Sequence, residues 1–173
     1  MKPLPAALLG ASLAALLSAC AGPRFPANAA TVDELVARLG PPARRWPMEN
    51  GGERLAFTTS PLGTQTWMAV TDAGGRVRSV GNVLDMPHFA RVQPGMDEDM
   101  VMREIGPPYL PWTVSYPARN ERVWEWRYCD VWNEPARFDV LFDASTGKVR
   151  STMSLTERQS RDGSGERSEW CSQ

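Results

Sequence analysis

Val32-Asp33-Glu34-Leu35-Val36-Ala37-Arg38-Leu39-Gly40-Pro41-Pro42 returns 66 positions later as Glu98-Asp99-Met100-Val101-Met102-Arg103-Glu104-Ile105-Gly106-Pro107-Pro108. Each copy reads as a short helix whose apolar residues recur at helical spacing. A glycine and two prolines end both copies, because glycine accepts a left-handed stop and proline forbids continuation. Thr31 and Glu34 have the spacing of a capping box at the first helix. Asp97 is the expected cap of the second, with Glu98 and Asp99 in the first turn, where carboxylates complement the helix dipole.

A second similarity lies farther on. Trp67-Met68-Ala69-Val70-Thr71-Asp72-Ala73-Gly74-Gly75-Arg76-Val77-Arg78 matches Phe138-Asp139-Val140-Leu141-Phe142-Asp143-Ala144-Ser145-Thr146-Gly147-Lys148-Val149-Arg150, now offset by 71 or 72. The chain therefore reads as two copies of one unit. Leu55 and Phe57 in the first copy, and Val123, Trp124, Trp126 and Tyr128 in the second, have strand alternation. Asp72 to Gly75 and Asp143 to Gly147 are hairpin turns in which the aspartates hold the backbone. The expected fold class is α+β, with two tandem units of one helix and a three-stranded antiparallel sheet, the helix covering one face.

Outward from the units, Lys2 is followed by an uncharged Ala/Leu-rich run that closes on Leu17-Ser18-Ala19-Cys20. This is the pattern of a signal peptide, and its exit resembles the lipobox of bacterial lipoproteins. An uncleaved membrane span is the other reading; the weak hydrophobicity of the run and the placing of Cys20 favour the lipoprotein. The resemblance implies lipidation of Cys20, and Ala21 in the next position, where Asp marks inner-membrane retention, implies the periplasmic face of the outer membrane. The expected divisions are a leader over 1–19, a tether over 20–29, a first unit over 30–84, a connector over 85–94, a second unit over 95–155 and a polar tail over 156–173.

In the second unit, Gly95-Met96-Asp97, Val101, Ile105-Gly106-Pro107-Pro108, the aromatic strand and Phe142-Asp143 with Gly147-Lys148-Val149 resemble the BamE (SmpA/OmlA) family of small outer-membrane lipoproteins. The likeness covers about 60 residues, and the first unit, with Ala29-Ala30 in place of glycine-methionine, follows it less closely. Two such units in tandem are similar to the arrangement of the secreted beta-lactamase inhibitory proteins. The resemblance implies a noncatalytic binding or scaffolding module of envelope biogenesis, engaging a membrane through its lipid and an envelope protein, with the outer-membrane assembly machinery as the candidate source of that partner. The alternative is a periplasmic enzyme inhibitor.

The remaining residues fit a binding protein. A formal net charge of −1 leaves no basic excess for a nucleic acid. The chain has one histidine, His88, and no nucleophile elbow, phosphate loop or paired-cysteine zinc pattern. No enzymatic activity, catalytic residue, cofactor or metal site is expected. Trp124 and Trp126 are expected to fill the core, whereas Tyr109, Trp112 and Tyr116, in the loop between helix and sheet, are the candidate partner-binding residues. Cys129 and Cys171 are expected to form a disulfide in an oxidising compartment, the other reading being two free thiols.

Overall fold

The computed structural model describes residues 31–157 and Cys171. The leader, Cys20 and the tether lie outside the described residues, as does the tail after Glu157 apart from Cys171. The described chain is α+β, with two four-stranded antiparallel sheets and three short helices.

Helix α1, Val32–Leu39, starts as its cap dictates: the Thr31 hydroxyl accepts from the Glu34 N–H at 3.3 Å, and the Glu34 carboxylate accepts from the Thr31 N–H at 3.2 Å. It ends at Gly40, with φ 79°. Four strands then run as a meander, β1 (Arg44–Pro47), β2 (Glu53–Thr58), β3 (Thr66–Thr71) and β4 (Val77–Asn82). Leu35 packs against Leu55, Phe57, Ala69 and Val77 on one face of this first sheet.

Helix α2, Met86–Phe89, follows, and then α3, Glu98–Ile105, capped by Asp97, which accepts from the Met100 N–H at 2.9 Å. Strands β5 (Val114–Tyr116), β6 (Glu121–Cys129), β7 (Pro135–Asp143) and β8 (Val149–Thr156) form the second meander. Each sheet carries a bulge just before its last turn, at Val70/Thr71 and at Leu141/Phe142. Each cap also bridges to the following hairpin, Thr31 to Arg76 and Asp97 to Lys148.

Three expectations need correction. The sheets have four strands, not three, because β1 and β5 form in what reads as proline-rich loop. Trp46 is the sole buried residue of β1 and β5 has none, so neither shows alternation; backbone pairing to β2 and β6 holds them. Residues 85–94 are not a plain connector, since Phe89 stacks on Phe138 with centroids 4.0 Å apart and joins Val92 in the second core. The tail does not begin at 156: Thr156 belongs to β8, and Glu157 is buried with its carboxylate 2.6 Å from Arg127 Nε.

The layers run α1, first sheet, α3, second sheet. Helix α3 sends Val101 and Ile105 into the aromatic core of the second sheet, while Met102 also packs on the cluster of Trp46, Ala56 and Met68 of the first sheet with Val83 just after it. Trp46 Nε1 donates to Asp99 at 2.9 Å, and Arg54 donates to the Arg103 carbonyl. Gly106 closes the seam. It has φ 78°, and an added Cβ would stand 2.5 Å from the Thr66 methyl; Thr66 is itself fully buried. The outer face of the second sheet remains uncovered by any described helix.

Candidate interaction surface

The segment after α3 is built to hold apolar side chains in solvent. Pro107 and Pro108 stop the helix, a single 3-10 turn spans Leu110–Trp112, and a second spans Pro117–Arg119 on the other side of β5. The Trp112 N–H donates to the Tyr109 carbonyl at 2.9 Å, and the two rings meet edge-on with centroids 5.5 Å apart. The Arg119 guanidinium lies over the Tyr116 ring at 4.1 Å, a favourable placement of a cation on a π face. Tyr109, Trp112 and Tyr116 are 37%, 41% and 42% exposed, and Leu110 and Val114 are more so. The three expected contact residues thus share one edge of the second sheet, although Tyr116 sits in a strand and not in a loop. A rigid aromatic edge of this kind suits noncovalent recognition, in which large side chains already held in place give contact area at little entropic cost.

No family model, curated protein or solved structure matches this chain. Among the described residues there is no group of three or more side chains able to hold a metal ion, and no helix long and apolar enough to cross a membrane.

The other candidates fall into structural roles. Trp124 and Trp126 are buried, and Trp126 Nε1 donates to the Gly106 carbonyl at 3.1 Å. His88 Nδ1 lies 2.5 Å from Asp85 at the start of α2. Asp72 accepts turn N–H groups from Gly74 and Arg76, both at 2.9 Å, and Asp143 accepts those of Ser145 and Thr146 at 3.0 and 2.9 Å. Hydrogen bonding from the Arg76 N–H holds Asp72 below the usual carboxylate range. The Ser145 hydroxyl, and next the Arg150 guanidinium, do the same for Asp143. These groups stay ionised and serve their turns.

Cys129 and Cys171 form a disulfide with Cα atoms 6.1 Å apart. The Cys171 N–H donates to the Asn133 carbonyl at 3.1 Å, so Cys171 is tied to the β6–β7 turn as well as to the strand.

Two features escape the sequence reading. Val131 and Trp132 stand out at the β6–β7 turn, Trp132 being 76% exposed; an apolar pair between Asp130 and Asn133 was the available signal. Asp139 lies on the uncovered face, directly across from Glu125. Burial, and next the Glu125 charge, push its carboxyl up to about 6 despite Arg137 nearby.

Proposed function

We propose that the chain is a noncatalytic binding or scaffolding module of the cell envelope, made of two BamE-like units and held by lipid on Cys20 at the periplasmic face of the outer membrane. The observation that carries this reading is the edge formed by Tyr109, Trp112 and Tyr116, since three neighbouring aromatic side chains left partly exposed offer contact area to a partner. A protein of the outer-membrane assembly machinery is the proposed partner class. The inhibitor alternative draws less support. A concave surface shared by two sheets needs both faces free on one side, whereas α3 occupies that side of the first sheet.

A photocrosslinker in place of Trp112, in the native envelope, tests the proposal. We expect an adduct with an outer-membrane assembly protein that is lost when Tyr116→Ala is added. An adduct with a soluble periplasmic enzyme selects the inhibitor reading, and absence of any specific adduct overturns the contact edge. Separately, Cys20→Ala is expected to abolish lipid labelling and leave precursor; a variant that stays lipid-labelled defeats the anchor assignment.

A further inference from the structure

The four sheet edges are not equally protected. Strand β1 is four residues long and ends on Pro47. Strand β5 is three residues long and lies between Pro111 and Pro117. Strand β4 has six residues and contains Gly81. Short length, proline and glycine all weaken an edge as a template for further pairing.

Strand β8 has none of these devices. It runs for eight residues without proline, glycine or lysine, and its one charge, Arg150, is paired with Asp143. On one side it pairs with β7, and among the described residues no strand lies on the other. From Ser151 to Leu155 its register is regular, the bulge falling before Ser151. A strand bonded on one side presents a second set of N–H and C=O groups outward, so this run offers an open ladder.

We propose that this edge pairs, antiparallel, with the same edge of a second copy of the chain, centred on Met153. That register brings no two charges together and sets one apolar pair on the axis. Met153 meets its counterpart, Ser151 lies opposite Leu155, and Thr152 lies opposite Ser154. No charge faces a like charge, because Arg150 falls outside the paired run. Cross-strand Thr–Ser and apolar pairs are of the kind that stabilise sheets. Met153, 42% exposed, gains an apolar neighbour. A two-fold axis perpendicular to the sheet keeps the uncovered faces of both copies on one side and joins the two four-stranded sheets into one. Pairing of one edge satisfies the other, so the assembly closes at two copies and needs no further partner. The inference goes beyond the contact edge at β5, which lies at the opposite margin of the same sheet.

The register makes the test specific. In the full-length lipoprotein, Met153→Cys is expected to give a reducible covalent dimer in the envelope. Ser151→Cys gives none, because residue 151 faces residue 155. In mild detergent, sedimentation equilibrium of the unsubstituted protein is expected to show a dimer, and Met153→Lys weakens association about tenfold or more by opposing two charges on the axis. A monomer in the unsubstituted protein, a dimer indifferent to Met153→Lys, or equal crosslinking at 151 and 153 overturns the proposal. Crosslinking from position 112 reports on the contact edge independently, so failure of either reading is recognised without the other.

Discussion

Ala56 faces Met68 across β2 and β3, while Glu125 faces Asp139 across β6 and β7. The two pairs occupy the same place in their sheets, each next to an aromatic pair turned toward a helix, Phe57 with Trp67 and Trp126 with Phe138. The difference is the layer. Helix α3 lies against Ala56 and Met68 through Met102, whereas no described helix covers Glu125 and Asp139. The same backbone plan thus carries small and apolar residues where a helix lies against it and carboxylates where none does, although Asp139 is still partly buried, with one carboxylate oxygen enclosed and unbonded.

Gly40 and Gly106 give the sharpest way to break this comparison. They share φ near 80° and an extended ψ, a region that side chains strongly disfavour. An added Cβ at Gly40 meets nothing within 4 Å, while at Gly106 it runs into buried Thr66. Gly106→Ala should cost about 4 kcal/mol or more, strain and overpacking together, against about 1–3 kcal/mol for Gly40→Ala. Urea unfolding of both measures the gap; equal losses would mean that the two halves are not pressed together at this seam.

The disulfide is a second asymmetry, since the first sheet has no counterpart. Cys171→Ser opens a closure spanning 42 positions and is expected to lower stability by about 3–4 kcal/mol on a loop-entropy estimate. Thermal unfolding of the oxidised wild type against the variant checks this. An unchanged midpoint would mean that Cys171 adds nothing to the second unit.

Asp139→Asn should act in the opposite direction. Its folded carboxyl near 6 lies above the ordinary 3.8, so the folded state holds that proton more tightly. The favourable contribution is present below 3.8 and is lost as pH rises through 6. Removing the charge should therefore raise stability at neutral pH by about 1–2 kcal/mol, allowing for solvent screening, and flatten the pH dependence between those values. Asp72, Asp97, Asp99 and Asp143, all lowered, contribute with the opposite sign and lose their effect only in stronger acid. A variant no more stable than wild type at neutral pH would show that Asp139 is well solvated.

Much of this was legible in the residues. The capping box at Thr31, the Gly-Pro-Pro stops and the aspartates of the hairpin turns are local chemistry, and local chemistry is read from short windows. The layering was missed, because Leu55 and Phe57 read as an alternating strand with one buried face, although the signal was present. Leu55-Ala56-Phe57 and Met68-Ala69 are continuous apolar runs, the mark of a sheet enclosed on both faces, whereas Trp124-Glu125-Trp126-Arg127-Tyr128 alternates as a one-sided strand must. Strands β1 and β5 left no such mark because backbone pairing, not burial, places them. The exposure of Tyr109, Trp112 and Tyr116 was expected from their place between the second helix and its sheet. Their convergence on one sheet edge depended on β5, and the state of Asp139 depended on its neighbour across the strands.

Helix α3 has a consequence for the order in which the molecule is completed. In a chain made from its N-terminus, residues 98–105 come after α1 and the first sheet, and the surface of Trp46, Ala56 and Met68 that Met102 packs on has no other described helix against it. A first half without α3 would leave that apolar surface open, the kind of exposure that makes incomplete chains prone to aggregate. A fragment ending at the connector keeps that surface permanently, so the two halves cannot be separated into independent parts although each has its own helix and sheet.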